Sequence, residues 1–277
     1  MPKTKDRAPV NATALSRDGT EIAFERLGAG PAVILVPSAL ADRTDTRKLA
    51  GLLADHFTVL NYDRRGRGAS GDAAGYAVER EIDDIAALIE HAGGSASLFG
   101  SSSGAVLALR AAAAGLAVER LALYEPPFAV GGGDFGPPEG FAGHIGTLLA
   151  QGRRGDAVKD FMVQAQGMPA FMVTMMRLMP GMWSKLKKMA HTLPYDIAVM
   201  GDTQRGRPLD AAQWSSAAAP ALVLTGGKSP AGFHSAAVAL TDVLPEADHR
   251  TLPGLNHGAV VMAPKKLAPA LIDFLRT

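Results

Sequence analysis

Apolar positions along the chain fall into short runs separated by turn residues. "ATALSRDGTEIAFERLGAG" holds two β-prone runs around Arg17-Asp18-Gly19-Thr20. Asp-Gly is a strong hairpin signal, so an antiparallel pair is expected first. "PAVILVPSA", from Pro31 to Ala39, is a continuous run of the kind found in strands buried on both faces. "RKLAGLLADHF" has helical spacing, "TVLNYD" reads as a further strand, and "DRRGRGAS" is a glycine-punctuated loop. "YAVEREIDDIAALIEHAGG" predicts a helix, with Glu79, Glu81, Asp83 and Asp84 toward its N-terminal half and Gly93 just past its end. That arrangement suits the helix dipole and a glycine cap. "SASLFG", "AVLALRAAAAG" and "VERLALYE" continue as strand, helix and strand. Such alternation predicts an α/β fold with a mostly parallel central sheet and helices on both faces.

The alternation stops at Pro126-Pro127 and resumes at "APALVLTGG", residues 219–227. Between them lie a glycine-rich connector, "FAVGGGDFGPPEG", and helix-like segments holding nine of the eleven methionines, from Met162 to Met200. A helix ("FHSAAVALTDVLPEA"), a last strand ("DHRTLPG") and a closing amphipathic helix ("PKKLAPALIDFLRT") follow. The expected organisation is a core of residues 1–127 and 216–277, interrupted by a helical, methionine-rich cap over 128–215.

Composition narrows the chemistry. With 277 residues, 47% of them hydrophobic, the chain can bury one substantial core, or a core and a smaller appendage. The net charge of +1 comes from dispersed charges of both signs, which argues against nucleic acid and makes small neutral molecules the expected partners. Cysteine is absent, excluding disulfides, thiolate metal sites and a cysteine nucleophile. "MPKTKDRAPVNATALSRDG" has no apolar leader core, and no run reaches the ~18 apolar residues of a membrane span. A cytoplasmic protein without membrane contact is expected, and self-association stays open. "GAG" at 28–30 and "GGG" at 131–133 do not open a helix directly after a strand, so no dinucleotide is implied. No cofactor and no metal are expected.

Chemistry concentrates at "LFGSSSGAVLALR". Gly100-Ser101-Ser102-Ser103-Gly104 fits G-x-S-x-G with a strand before it and a helix after it. A strand that turns straight into a helix forces its central residue into a strained conformation and presents its hydroxyl near the amide-rich helix start. Glycines on either side leave room for strand and helix to cross.

With these motifs the chain resembles the α/β-hydrolase fold family with a helical cap. "VILVPSA" matches the family's oxyanion loop, "YDRRGRGAS" its Asp-Arg-x-Gly-x-Gly-x-Ser loop, "GSSSG" its nucleophile elbow and "LPGLNHG" its histidine loop. The resemblance implies Ser102 as nucleophile and His257 as general base, and it implies that the arginines of "DRRGRG" pair with carboxylates and carbonyls. The family usually places an Asp after the strand that follows the cap, but "LTGGKSP" has Ser229 in that slot. A minority uses an acid after the strand that follows the nucleophile helix, where "LALYEPP" supplies Glu125. Asp202 and Asp242 are weaker substitutes.

An oxyanion hole needs two preorganised N–H groups. Ser103 is expected to provide one, and Ala39 or Ser38 the other. Methionine's flexible thioether suits an adaptable apolar pocket, so Met172, Met176 and Met200 are expected to line it. Lys185, Lys187 and Lys188 read as a solvated face. A neutral, moderately bulky ester or lactone is the expected substrate, cleaved through an acyl-enzyme. A non-hydrolytic, receptor-like binder and a carbon–carbon bond hydrolase or lyase remain open, the first favoured by Ser229.

Overall fold

The computed structural model describes residues 8–131 and 136–276. Part of the glycine-rich connector (132–135) and the first seven residues lie outside them, so the reading of "GGG" and part of that of the N-terminus are not addressed.

Eight strands form one sheet: β1 (Val10–Leu15), β2 (Glu21–Leu27), β3 (Ala32–Val36), β4 (Thr58–Tyr62), β5 (Ala96–Ser101), β6 (Val118–Tyr124), β7 (Ala221–Gly226) and β8 (Ala247–Leu252). Their order is β1-β2-β4-β3-β5-β6-β7-β8. β2 runs antiparallel to β1 and β4, and every other pair is parallel. The expected hairpin turns at Gly19, whose φ of +84° is the left-handed region that glycine adopts freely, and the Asp18 carboxylate accepts from the Thr20 amide at 3.0 Å. β4, β5 and β7 are buried at every position, which explains their continuous apolar sequences.

Strand alternation feeds two cores. Val33, Leu35 and Phe99 pack beneath α1 (Arg43–Leu53) and the closing helix, through Leu49, Leu53, Leu267 and Leu271. Ile34, Val36 and Leu98 face α2 (Val78–Ala92) and α3 (Ser103–Ala113), through Ile85, Leu88 and Leu107. α2 ends on Gly93 with φ +112°, as the sequence predicts.

Among the described residues, β6 and β7 are separated by the short α-helices α4 (Phe141–Ala150), α5 (Arg154–Asp160), α6 (Ala170–Arg177), α7 (Pro180–Met189), α8 (Leu193–Met200) and α9 (Ala211–Trp214). A π-helical turn at Phe161–Ala165 extends α5. Their shared core takes in Phe141, Ile145, Trp183 and Leu193, and also Ala39 and Leu40 from the loop after β3. The insert and that loop therefore pack as one body. After β7 come α10 (Ala231–Val243), a short α11 (Ala259–Met262) for which the sequence carried no distinct signal, and the closing helix α12 (Pro264–Arg276).

Two expectations are corrected here. Lys185 is not merely solvated, because its Nζ meets Asp42 at 3.1 Å and Asp45 at 2.7 Å and so links α7 to the start of α1. Lys187 and Lys188 are exposed. Nor do the methionines form one surface: Met162 and Met189 are buried in the insert, whereas Met172, Met175 and Met179 are 45–61% exposed. α6 carries too few inward positions, Val173 alone being fully buried, to hold its methionines inside.

Candidate active site

Ser102 occupies the turn between β5 and α3 with φ 53° and ψ −125°, the strained elbow expected of this pattern. Its amide donates to Tyr124 O at 2.9 Å, which ties the turn to the end of β6. The flanking glycines are sterically required. A Cβ on Gly100 would lie 2.3 Å from Gly104 O, and one on Gly104 would lie 2.4 Å from Val36 O and 2.5 Å from Pro37 O. The side-chain-free pair thus lets the elbow press against the loop after β3.

Glu125 follows β6 directly, is fully buried, and has a left-handed φ of 50°. Its Oε1 accepts from the Gly226 amide at 2.6 Å, and its Oε2 lies 2.8 Å from His257 Nδ1. An ionised carboxylate only accepts, so Nδ1 carries the donated proton and Nε2 is left with a free lone pair. Phe233 stacks on the imidazole at 4.6 Å between ring centroids. The Tyr124 hydroxyl donates to Asn256 O at 2.7 Å, and burial pushes that hydroxyl's pKa up, keeping it a neutral donor. The histidine loop is thereby held from two sides.

Ser229 makes no hydrogen bond to His257 among the described residues, and its hydroxyl is buried without a partner. Asp202 is 92% exposed and meets only Arg205, at 3.8 Å. Asp242 is exposed on α10. Of the carboxylates weighed from the sequence, the structure brings Glu125 alone to His257.

Ser102 and His257 line one cavity with Ala39, Ser103, Phe141, Phe161, Ile197, Met200 and Phe233. Ser103 opens α3, where the first amides have no intrahelical acceptor. Ala39 lies on the cavity wall, but Ser38 does not: its carbonyl accepts from Arg67 Nη1 at 2.8 Å and from the Ala41 amide at 3.3 Å. Met200 also lines the cavity, whereas Met172 and Met176 do not. α4 and the π-helical turn bring Phe141 and Phe161 to the wall, a placement that a count of methionines cannot show. The cavity volume is about 30 Å³, room for one or two waters.

Beneath the cavity the "DRRGRG" arginines are bound as expected. Arg64 pairs with Glu81 and Asp196, Arg65 with Asp84 and Asp18, and Arg67 with Asp196. Asp196, on α8, lines the cavity and had no local sequence signal; nor did Gln166 and Gln204, which also line it. A separate open cleft of about 480 Å³ among Arg153, Arg154, Arg177, Lys187 and Lys188 also holds Ser184, which makes no hydrogen bond to a base among the described residues, so the chemistry is assigned to the smaller cavity. Among the described residues no cluster of His, Asp and Glu could hold a metal ion, and no helix is long and apolar enough to cross a membrane.

An elbow serine, a carboxylate-bound histidine on the loop after the last strand, and this sheet order together define an α/β hydrolase. A family model described as "Alpha/beta hydrolase family" matches residues 33–270, and the chain belongs to that family. The crystal structure of an α/β hydrolase from Sphaerobacter thermophilus is similar at 49% identity and a TM-score of 0.88, covering 95% of this chain and 99% of that one. A thermophilic esterase from Thermogutta terrifontis shares the fold at 24% identity and a TM-score of 0.68, over 97% of this chain and 98% of its own. The uncharacterized hydrolase YraK of Bacillus subtilis is 38% identical over 104 residues, 36% of this chain and 38% of that protein's length.

The elbow's packing gives a direct stability test. Gly104→Ala should lower stability by about 1–3 kcal/mol, because its methyl meets fixed backbone oxygens. Gly143→Ala, at an open position within α4, should be neutral or slightly stabilising. Thermal melts compare the two; equal melting temperatures would contradict the steric reading of the elbow.

Proposed function

We propose that this protein is a serine hydrolase, esterase- or lactonase-like, that cleaves a small neutral ester through an acyl-enzyme on Ser102. The observation that carries the reading is the 2.8 Å contact between buried Glu125 and His257 Nδ1, in a site where His257 and the elbow serine share one cavity. Glu125 holds the tautomer that leaves Nε2 free and offsets the charge of the imidazolium formed later. Ser102 Oγ attacks the acyl carbonyl while His257 Nε2 accepts its proton. The same proton then passes to the departing alkoxide, leaving the acyl group on Ser102. Water next attacks that ester with His257 again as base, and the acid is released. The amides of Ser103 and Ala39 receive the charge that develops on the carbonyl oxygen in both steps.

Phe141, Phe161 and Phe233 on the wall, with no Lys or Arg lining the cavity among the described residues, support a neutral acyl group. The vacant Ser229 slot favoured a silent binder, but with Glu125 on His257 that ground falls away.

A fluorophosphonate probe followed by peptide mass spectrometry tests the nucleophile. The adduct is expected on Ser102; an adduct on Ser101 or Ser103, or none on folded protein, contradicts the assignment.

Glu125→Gln tests the acid. The amide can still accept from Gly226, but it cannot stabilise imidazolium. The variant should lose about 10²- to 10⁴-fold in kcat on a p-nitrophenyl ester, with KM little changed. Asp202→Asn should stay within about twofold of the parent. Near-full activity of Glu125→Gln would show that His257 works without this partner.

A further inference from the structure

Asp196 is the one carboxylate on the cavity wall among the described residues, yet it is only 1% exposed. Its Oδ1 accepts from the Ser103 hydroxyl at 2.8 Å and from Arg64 Nη1 at 2.7 Å, and its Oδ2 accepts from Arg67 Nη2 at 2.6 Å. Burial alone would raise its pKa, but the charges of Arg67 and Arg64, with the hydrogen bonds from Arg67 and Ser103, outweigh that and keep it ionised.

Two arginines and two carboxylates balance in number here, with Asp196 shared between Arg64 and Arg67. Arg64 is gripped by Glu81 through two bonds of 2.7 Å, so Glu81 balances it. Arg67 has Asp196 as its sole carboxylate among the described residues; its other partners are Thr192 Oγ1 and the carbonyls of Ser38 and Ala41. Asp196 lines the cavity and Arg67 does not. A molecule beside Ser102 therefore meets a carboxylate backed by a cation that it already neutralises.

We propose that Asp196 is a specificity-determining residue that restricts the site to uncharged acyl groups, by facing a substrate carboxylate with like charge and by masking Arg67. The inference rests on the esterase reading above and names its substrate class. A substrate carboxylate that enters this cavity gives up water and meets the negative end of the Asp196–Arg67 pair rather than its cation, and a net cost above about 1.4 kcal/mol equals a tenfold preference. Removing the Asp196 charge takes away that negative end and leaves Arg67 without its salt-bridge partner behind the wall.

The test compares p-nitrophenyl hexanoate with p-nitrophenyl hydrogen adipate, acyl chains of equal length that differ in one terminal carboxylate. Wild-type protein should favour the neutral ester by at least about tenfold in kcat/KM at low salt. In D196N that ratio should shrink by about tenfold or more, with adipate activity holding or rising while hexanoate activity falls. A merely structural role lowers both activities together and leaves the ratio unchanged, which would overturn the proposal. R67M/D196N leaves no buried lone cation and serves if D196N does not fold. Its ratio should fall below that of wild type, and an unchanged ratio again overturns the inference. Wild-type hydrolysis of both esters at equal kcat/KM removes this inference alone, whereas turnover of neither removes the esterase reading and the inference with it.

Discussion

The arrangement of the site depends on a single buried contact, the carboxylate of Glu125 against the imidazole of His257. A fully buried carboxylate is costly unless its oxygens are used, and here one takes the Gly226 amide while the other takes Nδ1. Strand order makes this available. β5, β6 and β7 are adjacent and parallel, so Ser102 follows β5, Glu125 follows β6, and Gly226 closes β7 at the same end of the sheet. Removing His257 would leave the buried Glu125 carboxylate without its second partner, whereas His257 is 31% exposed and can be solvated.

Backbone strain marks the same region. Among the described residues the non-glycine positions with left-handed φ are Leu40, Ser102 and Glu125, at 54°, 53° and 50°. They belong to the loop after β3, the nucleophile elbow and the turn after β6. Each such residue costs on the order of 1 kcal/mol or more and persists only where its surroundings over-determine it. Those surroundings are identifiable: Leu40 sits in the insert's core, Ser102 between two clash-limited glycines, and Glu125 on Gly226 and His257. Below them the Arg64–Glu81 and Arg67–Asp196 pairs join α2, the loop after β3 and α8, so the insert is bolted to the floor of the site.

Much of this was readable from local patterns. Asp18-Gly19 marks the hairpin, G-x-S-x-G points to Ser102, and the resemblance to relatives that carry the acid after the strand following the nucleophile helix points to Glu125. What stayed hidden depends on contacts distant in sequence. Asp196 is 132 residues from Arg64 and sits in a short helix with no motif, so only the folded insert brings the two together. The methionines misled because composition reports how many flexible apolar side chains a segment holds, not which way its helices turn them. Met200 faces the cavity, whereas Met172 lies 45% exposed on a helix with one fully buried position. Of the two residues expected after β3, Ala39 lines the cavity and Ser38 does not.

The central claim is that Glu125 fixes a His257 proton on Nδ1. Proton NMR of protein labelled with ¹⁵N in its imidazole rings tests this most directly. The account predicts a low-field, slowly exchanging proton coupled to His257 Nδ1 near neutral pH. A neutral His257 protonated only on Nε2, with Nδ1 bare, would contradict it.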